Sequence, residues 1–267
     1  MKRLLALVLV LMLSLGAFAL AEDNSLAAVQ EKGTLILGLD DSFPPMGYRD
    51  NSNNIVGYDI DLATEVASRL GVTLVCQPVD WSAKEVELNS GNIDCIWNGM
   101  SITPERQENM AMTWSYMNNK IMVYAKNDSG IASKEDMAGK VVGVQAGSFA
   151  EEVIDTYEDY EELRASIGEV VAYEDYLTAL IDLQMGNIDA LLIDLVVAQY
   201  KLAGMEDDSI VAVEALEDDN YGIGFRKDDI ALRDAVQDTL VEMAKDGTIA
   251  AISEVWFGED ISTVPVA

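Results

Sequence analysis

Arg106 and Asp194 are the two charged side chains whose surroundings favour ligand chemistry most. Arg106 follows the turn Ser-Ile-Thr-Pro-Glu, and a guanidinium can hold a carboxylate through two parallel hydrogen bonds, which a lysine cannot do. The alternative for Arg106 is a surface ion pair with Glu105 or Glu108. Asp194 ends the stretch Asp-Ala-Leu-Leu-Ile-Asp, so it is either a helix cap or a ligand group.

Two serines could add backbone donors for an anion. We expect Ser101 and Ser148 each to open a helix, where free N–H groups and the helix dipole favour negative charge. Ser148 closes the stretch Gly-Val-Gln-Ala-Gly-Ser, which lacks the lysine of nucleotide-binding phosphate loops. We therefore expect no bound nucleotide.

The composition excludes much catalytic and metal chemistry. The chain has no histidine, so the commonest metal ligand and the commonest general base are both missing. We expect no metal, no cofactor and no catalytic residue. Lys and Arg number 17 against 47 Asp and Glu, for a formal charge of −30. Such a surface repels nucleic acid and anionic lipid. The acidic residues either form a general solvated surface or attract a cationic ligand.

The N-terminus predicts export. Lys2 and Arg3 precede an apolar run over 4–20, and Ala-Leu-Ala ends at Ala21 before Glu22. This is the pattern of a cleaved signal peptide over residues 1–21. An uncleaved anchor is the alternative, because the run is just long enough to span a bilayer. With no cysteine nearby for lipid attachment, we expect a periplasmic protein or one at the extracellular face of the membrane, the periplasm being favoured.

The mature chain repeats one α/β rhythm. Its first block has strands at 34–39, 72–75 and 93–97, with helices at 59–70 and 84–89 between them. A second block has strands at 139–144, 170–173 and 188–193, with helices at 148–157 and 176–185 between them. Asn-Ile-Asp-Cys in the first block is answered by Asn-Ile-Asp-Ala in the second, each after a glycine that ends a helix. Two similar lobes with mainly parallel sheets explain the pattern.

Seven segments, in order along nearly the whole mature chain, resemble the type II periplasmic solute-binding proteins of polar amino-acid ABC importers. They are GTLILGLDDSFPPMGY (33–48), VGYDIDLATEVASRLG (56–71), VDWSAKEVELNSGNIDCIWNGMSITPERQE (79–108), GKVVGVQAGS (139–148), GNIDALLID (186–194), YGIGFRKDD (221–229) and DGTIAAISEVWFG (246–258).

The resemblance implies an α/β fold of two Rossmann-like lobes with mixed, mainly parallel sheets joined by a two-strand hinge. Residues 26–117 and 221–267 would form lobe 1, and 122–216 would form lobe 2. The hinge would lie at 116–121 and 217–221, with ligand in the cleft at the ends of strands and the starts of helices.

The same resemblance implies how an amino acid is held. Arg106 would bind the ligand's carboxylate, helped by the backbone N–H groups of the two serines. Asp194 would bind the ammonium group together with the backbone carbonyls of Asn98 and Gly99. The alternative for Gly99 is that it only forms a tight turn.

Four further positions would contact the rest of the ligand. Phe43 and Trp81 would clamp its aliphatic stem, although buried aromatics are usually core. Asp40 and Gln145 would reach its side-chain end, and the alternative for Asp40 is turn chemistry beside Asp41. An acid with a neutral amide favours Arg, Lys, ornithine or Gln as ligand over Glu or Asp.

Cys76 and Cys95 are the only cysteines, and two cysteines in an oxidising compartment suggest a disulfide. The family's strand order argues against it, because it places the first strand between the strands that carry them. Their Cα atoms would then be roughly 9–10 Å apart, beyond the roughly 7 Å limit of a disulfide.

The expected protein is a monomeric binding component that delivers its ligand to ABC importer permease subunits. One alternative is a periplasmic cyclohexadienyl-type dehydratase on the same fold, which without histidine would need a buried carboxylate as its acid or base. The other alternative is an amino-acid sensor domain. Because no second membrane segment or output domain follows Ala267, a partner would have to transmit its signal.

Overall fold

The computed structural model describes residues 23–204 and 208–266. The predicted signal peptide lies outside the described residues. Within the described ranges, no helix combines the length and the apolar character that crossing a membrane requires.

Helices and strands alternate along the chain as the pattern predicts. The elements up to the first connection between lobes are α1 (Ser25–Lys32), β1 (Thr34–Leu39), β2 (Ser42–Phe43), β3 (Gly47–Arg49), β4 (Ile55–Val56), α2 (Tyr58–Leu70), β5 (Thr73–Pro78), α3 (Lys84–Asn89), β6 (Cys95–Ser101), α4 (Pro104–Asn109), β7 (Met110–Met112) and β8 (Met117–Lys126). The remaining elements are β9 (Val141–Gln145), α5 (Phe149–Thr156), α6 (Glu161–Ser166), β10 (Glu169–Tyr173), α7 (Tyr176–Met185), β11 (Ala190–Asp194), α8 (Leu195–Ala203), β12 (Ile210–Arg226), α9 (Ile230–Lys245) and α10 (Thr248–Phe257).

In the part of the chain that the structure describes, one nine-stranded sheet has a parallel part in each lobe, joined by a pair of long antiparallel strands, and β2, β3 and β4 form a separate small sheet. The strand order is β10-β9-β11-β8-β12-β6-β1-β5, with β7 on β12. In the first lobe β1 runs parallel to β5 and β6, and in the second lobe β9 runs parallel to β10 and β11. This mixed arrangement confirms the predicted fold class.

The strands β8 and β12 are common to both lobes. They pair from Met117 opposite Tyr221 to Ile121 opposite Glu217, so the two segments predicted to cross between the lobes lie side by side. The hinge strand expected at 217–221 is the middle of β12. Its sequence begins Glu-Asp-Asp-Asn, polar residues that on their own indicate a turn, yet here they pair with β8.

The internal repeat has a structural basis. The Asp94 carboxylate accepts the backbone N–H of Ile36 at 2.7 Å, and the Asp189 carboxylate accepts the N–H of Val141 at 2.9 Å. Each aspartate therefore holds the first strand of its own lobe. The repeated Asn-Ile-Asp motif marks the same structural position in both lobes.

The two cysteines lie on either side of β1, as the strand order predicts. Leu37 pairs with Cys76 on one side and with Cys95 on the other. Both thiols are free, Cys95 being fully buried and Cys76 half-buried.

We expect two free thiols per chain on titration in denaturant without reductant. In the folded protein only Cys76 should react readily, because Cys95 has no exposed surface. A titration with a thiol-specific chromophore measures both numbers. Finding no thiol in denaturant would contradict the strand order around β1.

Candidate functional site

A closed pocket lies between the two lobes. Its lining consists of Phe43, Trp81, Gly99, Ser101, Arg106, Gln145, Ser148, Phe149 and Asp194. All but Phe149 were predicted, and the predicted residues Asp40 and Asn98 adjoin the pocket. The free volume of the pocket is only about 10 Å³, room for about one water molecule. The lobes are therefore closed tightly over these side chains, and any larger ligand requires them to move apart.

Arg106 is buried at one end of this pocket. Its Nη1 donates to the Ser101 carbonyl at 3.0 Å, and its Nη2 donates to the Gly147 carbonyl of the other lobe at 3.4 Å. Nη2 also lies 3.5 Å from the Glu152 carboxylate. The structure thus pairs Arg106 across the cleft rather than with its sequence neighbours. A buried guanidinium whose Nη2 contacts are long can still accept a carboxylate ligand.

The expectation that Ser101 opens a helix is wrong. Ser101 is the last residue of β6, where it pairs with Tyr221 of β12, and it is Thr103 that caps α4 by accepting the Arg106 N–H at 3.2 Å. The sheet pairing extends the strand past the point where its apolar run stops. Ser148 does open a helix, since its hydroxyl accepts a backbone N–H at the start of α5.

Asp194 is buried at the opposite end of the pocket. Its Oδ1 accepts the Tyr221 hydroxyl at 2.6 Å and the Asn119 amide at 2.7 Å. Within the described chain its carboxylate makes no capping bond to α8, so it is not serving as a helix cap. Burial and the neighbouring Asp219 raise the pKa of Asp194. A positive charge placed beside Asp194 would favour its ionised form and pair with it.

Asp219 and Asn119 belong to this end of the site, although they were not predicted. The Asn119 amide donates to Asp219 at 2.9 Å, and the Ser101 hydroxyl donates to the same carboxylate at 3.1 Å. Burial raises the pKa of Asp219 despite these bonds. Strand alternation was an available signal, because neighbouring residues of a strand face opposite sides. The side chain of Asp218 is accordingly 80% exposed, whereas Asp219 is buried.

Asp40 and Gln145 meet across the cleft at the predicted side-chain end. Gln145 Nε2 donates to Asp40 Oδ2 at 2.7 Å, while Asp40 Oδ1 accepts the N–H and hydroxyl of Ser42. Asp40 therefore takes part both in a turn and in a contact between lobes. Its backbone N–H donates to the side-chain amide oxygen Oδ1 of Asn98 at 3.1 Å. Burial raises the pKa of Asp40.

Aromatic rings form the walls between the charged ends. Phe43 and Trp81 are both buried, and the Phe43 ring centre lies 6.0 Å from that of Tyr176 in the other lobe. Gly99 has a φ of +61°, and a Cβ there would lie 2.7 Å from the Phe43 ring. Only glycine allows this close approach of backbone to the pocket wall.

Asp59 supports the pocket from below and was not predicted. Its Oδ2 accepts the Gly99 N–H at 2.8 Å and the Tyr116 hydroxyl at 2.9 Å. Burial outweighs these bonds and raises its pKa to about 7. Helical spacing was an available signal, because Asp59 shares the buried face of α2 with Leu62, Ala63 and Val66.

Lys84 was also missed. Its ammonium group donates to the Trp81 carbonyl at 3.0 Å and to the Gly147 carbonyl of the other lobe at 2.8 Å. Burial, with the nearby Arg106, lowers its pKa to about 7. The lobes are thus in contact through a second buried cation beside the arginine.

The fold and site define a two-lobed binding protein, and comparison with known proteins identifies its family. The sequence profile of the bacterial extracellular solute-binding proteins, family 3, matches residues 35–259. The chain belongs to this family.

Within residues 23–204 and 208–266, no three Cys, Asp or Glu side chains come together as a metal site would require.

Individual relatives cover nearly the whole chain. The L-cystine-binding protein TcyJ of Escherichia coli K12 is 32% identical over 260 residues, covering 97% of this chain and 94% of the relative. A Streptococcus pneumoniae ABC uptake transporter substrate-binding protein with bound histidine has a TM-score of 0.85 and 38% identity, covering 91% and 99%. The ancestral amino acid-binding protein AncCDT-1, a precursor of cyclohexadienyl dehydratase, has a TM-score of 0.77 and 31% identity, covering 87% and 99%.

We expect Asp59→Asn to reduce the dependence of stability on pH. An aspartate in the unfolded chain ionises near its ordinary pKa, whereas the folded state keeps this proton up to about pH 7. The Asp59 contribution therefore falls as pH rises from about 4 to about 7 and stays low above that. Melting temperatures at about pH 5 and about pH 8 should differ more in wild type than in Asp59→Asn.

The matched control is Asp61→Asn, on the exposed face of the same helix. It should keep the wild-type pH dependence. An equal fall of melting temperature with pH in wild type and Asp59→Asn would contradict the assignment to Asp59.

Proposed function

We propose that this protein captures one free, polar and possibly basic amino acid between its lobes and delivers it to the permease subunits of an ABC importer. Its carboxylate would bind Arg106 and its ammonium group Asp194. The observation that carries the proposal is that these two opposite charges line one buried pocket between the lobes. The cystine-binding and histidine-bound relatives support an α-amino acid as ligand.

Burial makes the charge pairing selective. A buried charge without a partner is costly, whereas a fully paired one is tolerated. Arg106 would match a carboxylate with two donors, and Asp194 would match a single positive charge. A molecule that lacks either group would leave one of these side chains unpaired.

Two buried polar atoms without hydrogen-bond partners also support a polar ligand. Within the described residues, the buried atoms Asn98 Nδ2 and Asn119 Oδ1 have no hydrogen-bond partner. Unpaired buried polar atoms cost roughly 1–3 kcal/mol each. Both lie on residues bonded directly to the proposed binding groups Asp40 and Asp194, so a polar ligand is a plausible source of the missing partners.

The side-chain end favours a cationic or neutral polar group. Asp40 and Gln145 meet there, and Asp40 adjoins a cavity lined also by Asp41, Asp80 and Asp175. Such a surface attracts a cation and repels a carboxylate. We infer a preference for Arg, Lys, ornithine or Gln over Glu and Asp.

Lobe closure would complete the site. We infer lobe boundaries at residues 26–117 with 221–267, and 122–216, joined by a hinge at 116–121 and 217–221. The adjacent strands β8 and β12 support this hinge, because two strands can twist with few contacts broken. Gly147 supports closure, since its carbonyl accepts bonds from two cations of the other lobe.

A binding role is favoured over catalysis, and we infer an exported monomer that is not an enzyme. The AncCDT-1 likeness keeps the dehydratase alternative open to test. Turnover of prephenate or arogenate by the purified protein would establish that alternative.

A thermal-shift screen of the twenty amino acids, ornithine, citrulline and cystine should identify the ligand. We expect stabilisation by a basic or neutral polar amino acid and none by Glu or Asp. A ligand at 100 times its Kd stabilises the native state by about 2.7 kcal/mol. A screen without any concentration-dependent shift would refute amino-acid capture.

Arg106→Ala should weaken binding of that ligand at least about 100-fold, because the buried carboxylate loses its charged partner. The control Arg69→Ala removes an arginine that pairs with Glu65 and Asp246 at the end of α2, and it should bind like wild type. Calorimetry measures both. An Arg106→Ala protein that folds and keeps wild-type affinity would remove the carboxylate site from the proposal.

A further inference from the structure

We propose that Asp219 and Asp194 form a carboxylate pair that shares one proton in the ligand-free protein, and that capture of the ligand's ammonium group expels this proton. Asp219 acts as a positioning residue, because its Oδ1 accepts the Asn220 N–H and its Oδ2 accepts from Ser101 and Asn119. The inference rests on the proposed function, since it needs an ammonium group at Asp194.

One amide nitrogen holds the two carboxylates together. Asn119 Nδ2 donates to Asp194 at 2.7 Å and to Asp219 at 2.9 Å. Because both bonds converge on one nitrogen, the two oxygens lie within about 6 Å, close enough for like charges to disfavour double ionisation. Both side chains are about 95% buried, so water screens this repulsion little.

The pair does not depend on closure of the lobes. Asp194 lies on β11, Asn119 on β8 and Asp219 on β12, three adjacent strands of the sheet. Their register is fixed by backbone bonds, with Asp194 opposite Ile121 and Asp219 opposite Asn119. The two carboxylates therefore stay together when the lobes separate.

The surrounding charges leave a proton on the pair. Arg106 is the cation that acts on Asp219, and it favours ionisation. The Tyr221 hydroxyl donates to Asp194 and the Ser101 hydroxyl donates to Asp219, while the Tyr176 ring is buried beside Asp194. Burial raises the pKa of both tyrosines above the ordinary value, so both stay neutral. Burial raises the pKa of both carboxyls, and the charge of Asp219 adds to this effect at Asp194.

Ligand binding reverses this balance. The ammonium group is positive and would lie against Asp194, while the ligand's carboxylate lies at the far end on Arg106. The positive end lowers the pKa of the pair, so its shared proton passes to solvent and both carboxylates become ionised. Below the pKa of the free pair, binding must displace a proton and is weaker. The affinity therefore rises with pH and levels off once the free pair is fully ionised.

Calorimetry of wild type with L-arginine tests this directly, because the arginine side chain does not titrate between about pH 5 and pH 8. Titrations near pH 6.5 in two buffers with different ionisation enthalpies give the number of protons released. We expect about 0.5–1 proton per ligand, and an affinity that rises by up to about tenfold per pH unit. L-glutamine serves as the second probe.

Asp219→Asn keeps the shape of the side chain and removes the second charge. We expect its proton release to fall by at least half and its affinity to depend less on pH than that of wild type, because burial still raises the pKa of Asp194 but the charge of Asp219 no longer adds to it. Asp218→Asn is the matched control, since Asp218 is the exposed neighbour paired with Lys120. It should release protons like wild type.

The outcomes separate the two proposals. Binding by wild type without proton release, at an affinity independent of pH, overturns the shared proton and leaves the proposed function standing. Proton release in Asp219→Asn equal to that of wild type overturns the role of Asp219. If neither probe binds and the amino-acid screen is also negative, the proposed function fails and this inference fails with it.

Discussion

The structure depends on the need to pair every charge that is buried in the cleft between the lobes. Arg106, Lys84, Asp40, Asp194 and Asp219 are all buried, and each has hydrogen-bond partners that hold it without neutralising it fully. Isolated buried charges are unfavourable in a medium of low dielectric constant. The cleft is therefore an arrangement of charges that a zwitterion of the right length would complete.

Backbone carbonyls carry much of this arrangement. The Gly147 carbonyl accepts from Arg106 and Lys84 of the other lobe, and the Ser101 carbonyl holds the arginine within its own lobe. Gly147 has a φ of +70°, and a Cβ there would lie 2.8 Å from Ser82. The close contact between lobes therefore requires a residue without a side chain.

The strands β8 and β12 link the binding groups to the connection between lobes. Asn119 and Asp219 lie on these strands and contact Asp194 and Ser101, one from each lobe. A change in the ionisation of Asp194 or Asp219 would therefore act where the two strands join the lobes. The same two strands carry chain connectivity, sheet pairing and the second carboxylate of the site.

The sequence alone determined the alternation of strands and helices, the two-lobed fold and most of the pocket lining. The alternation follows from local periodicity and the two lobes from the repeated motif. The pocket lining follows from the resemblance to a known family, as for Phe43, Arg106, Gln145 and Asp194, which the structure brings to one pocket. Their ligand-binding roles stay a prediction. The tertiary structure alone decided that β6 continues through Ser101, that Lys84 is buried against Gly147 of the other lobe, and that Asn119 lies between Asp194 and Asp219. Those outcomes depend on sheet pairing and on packing between distant segments, which no local pattern of residues encodes.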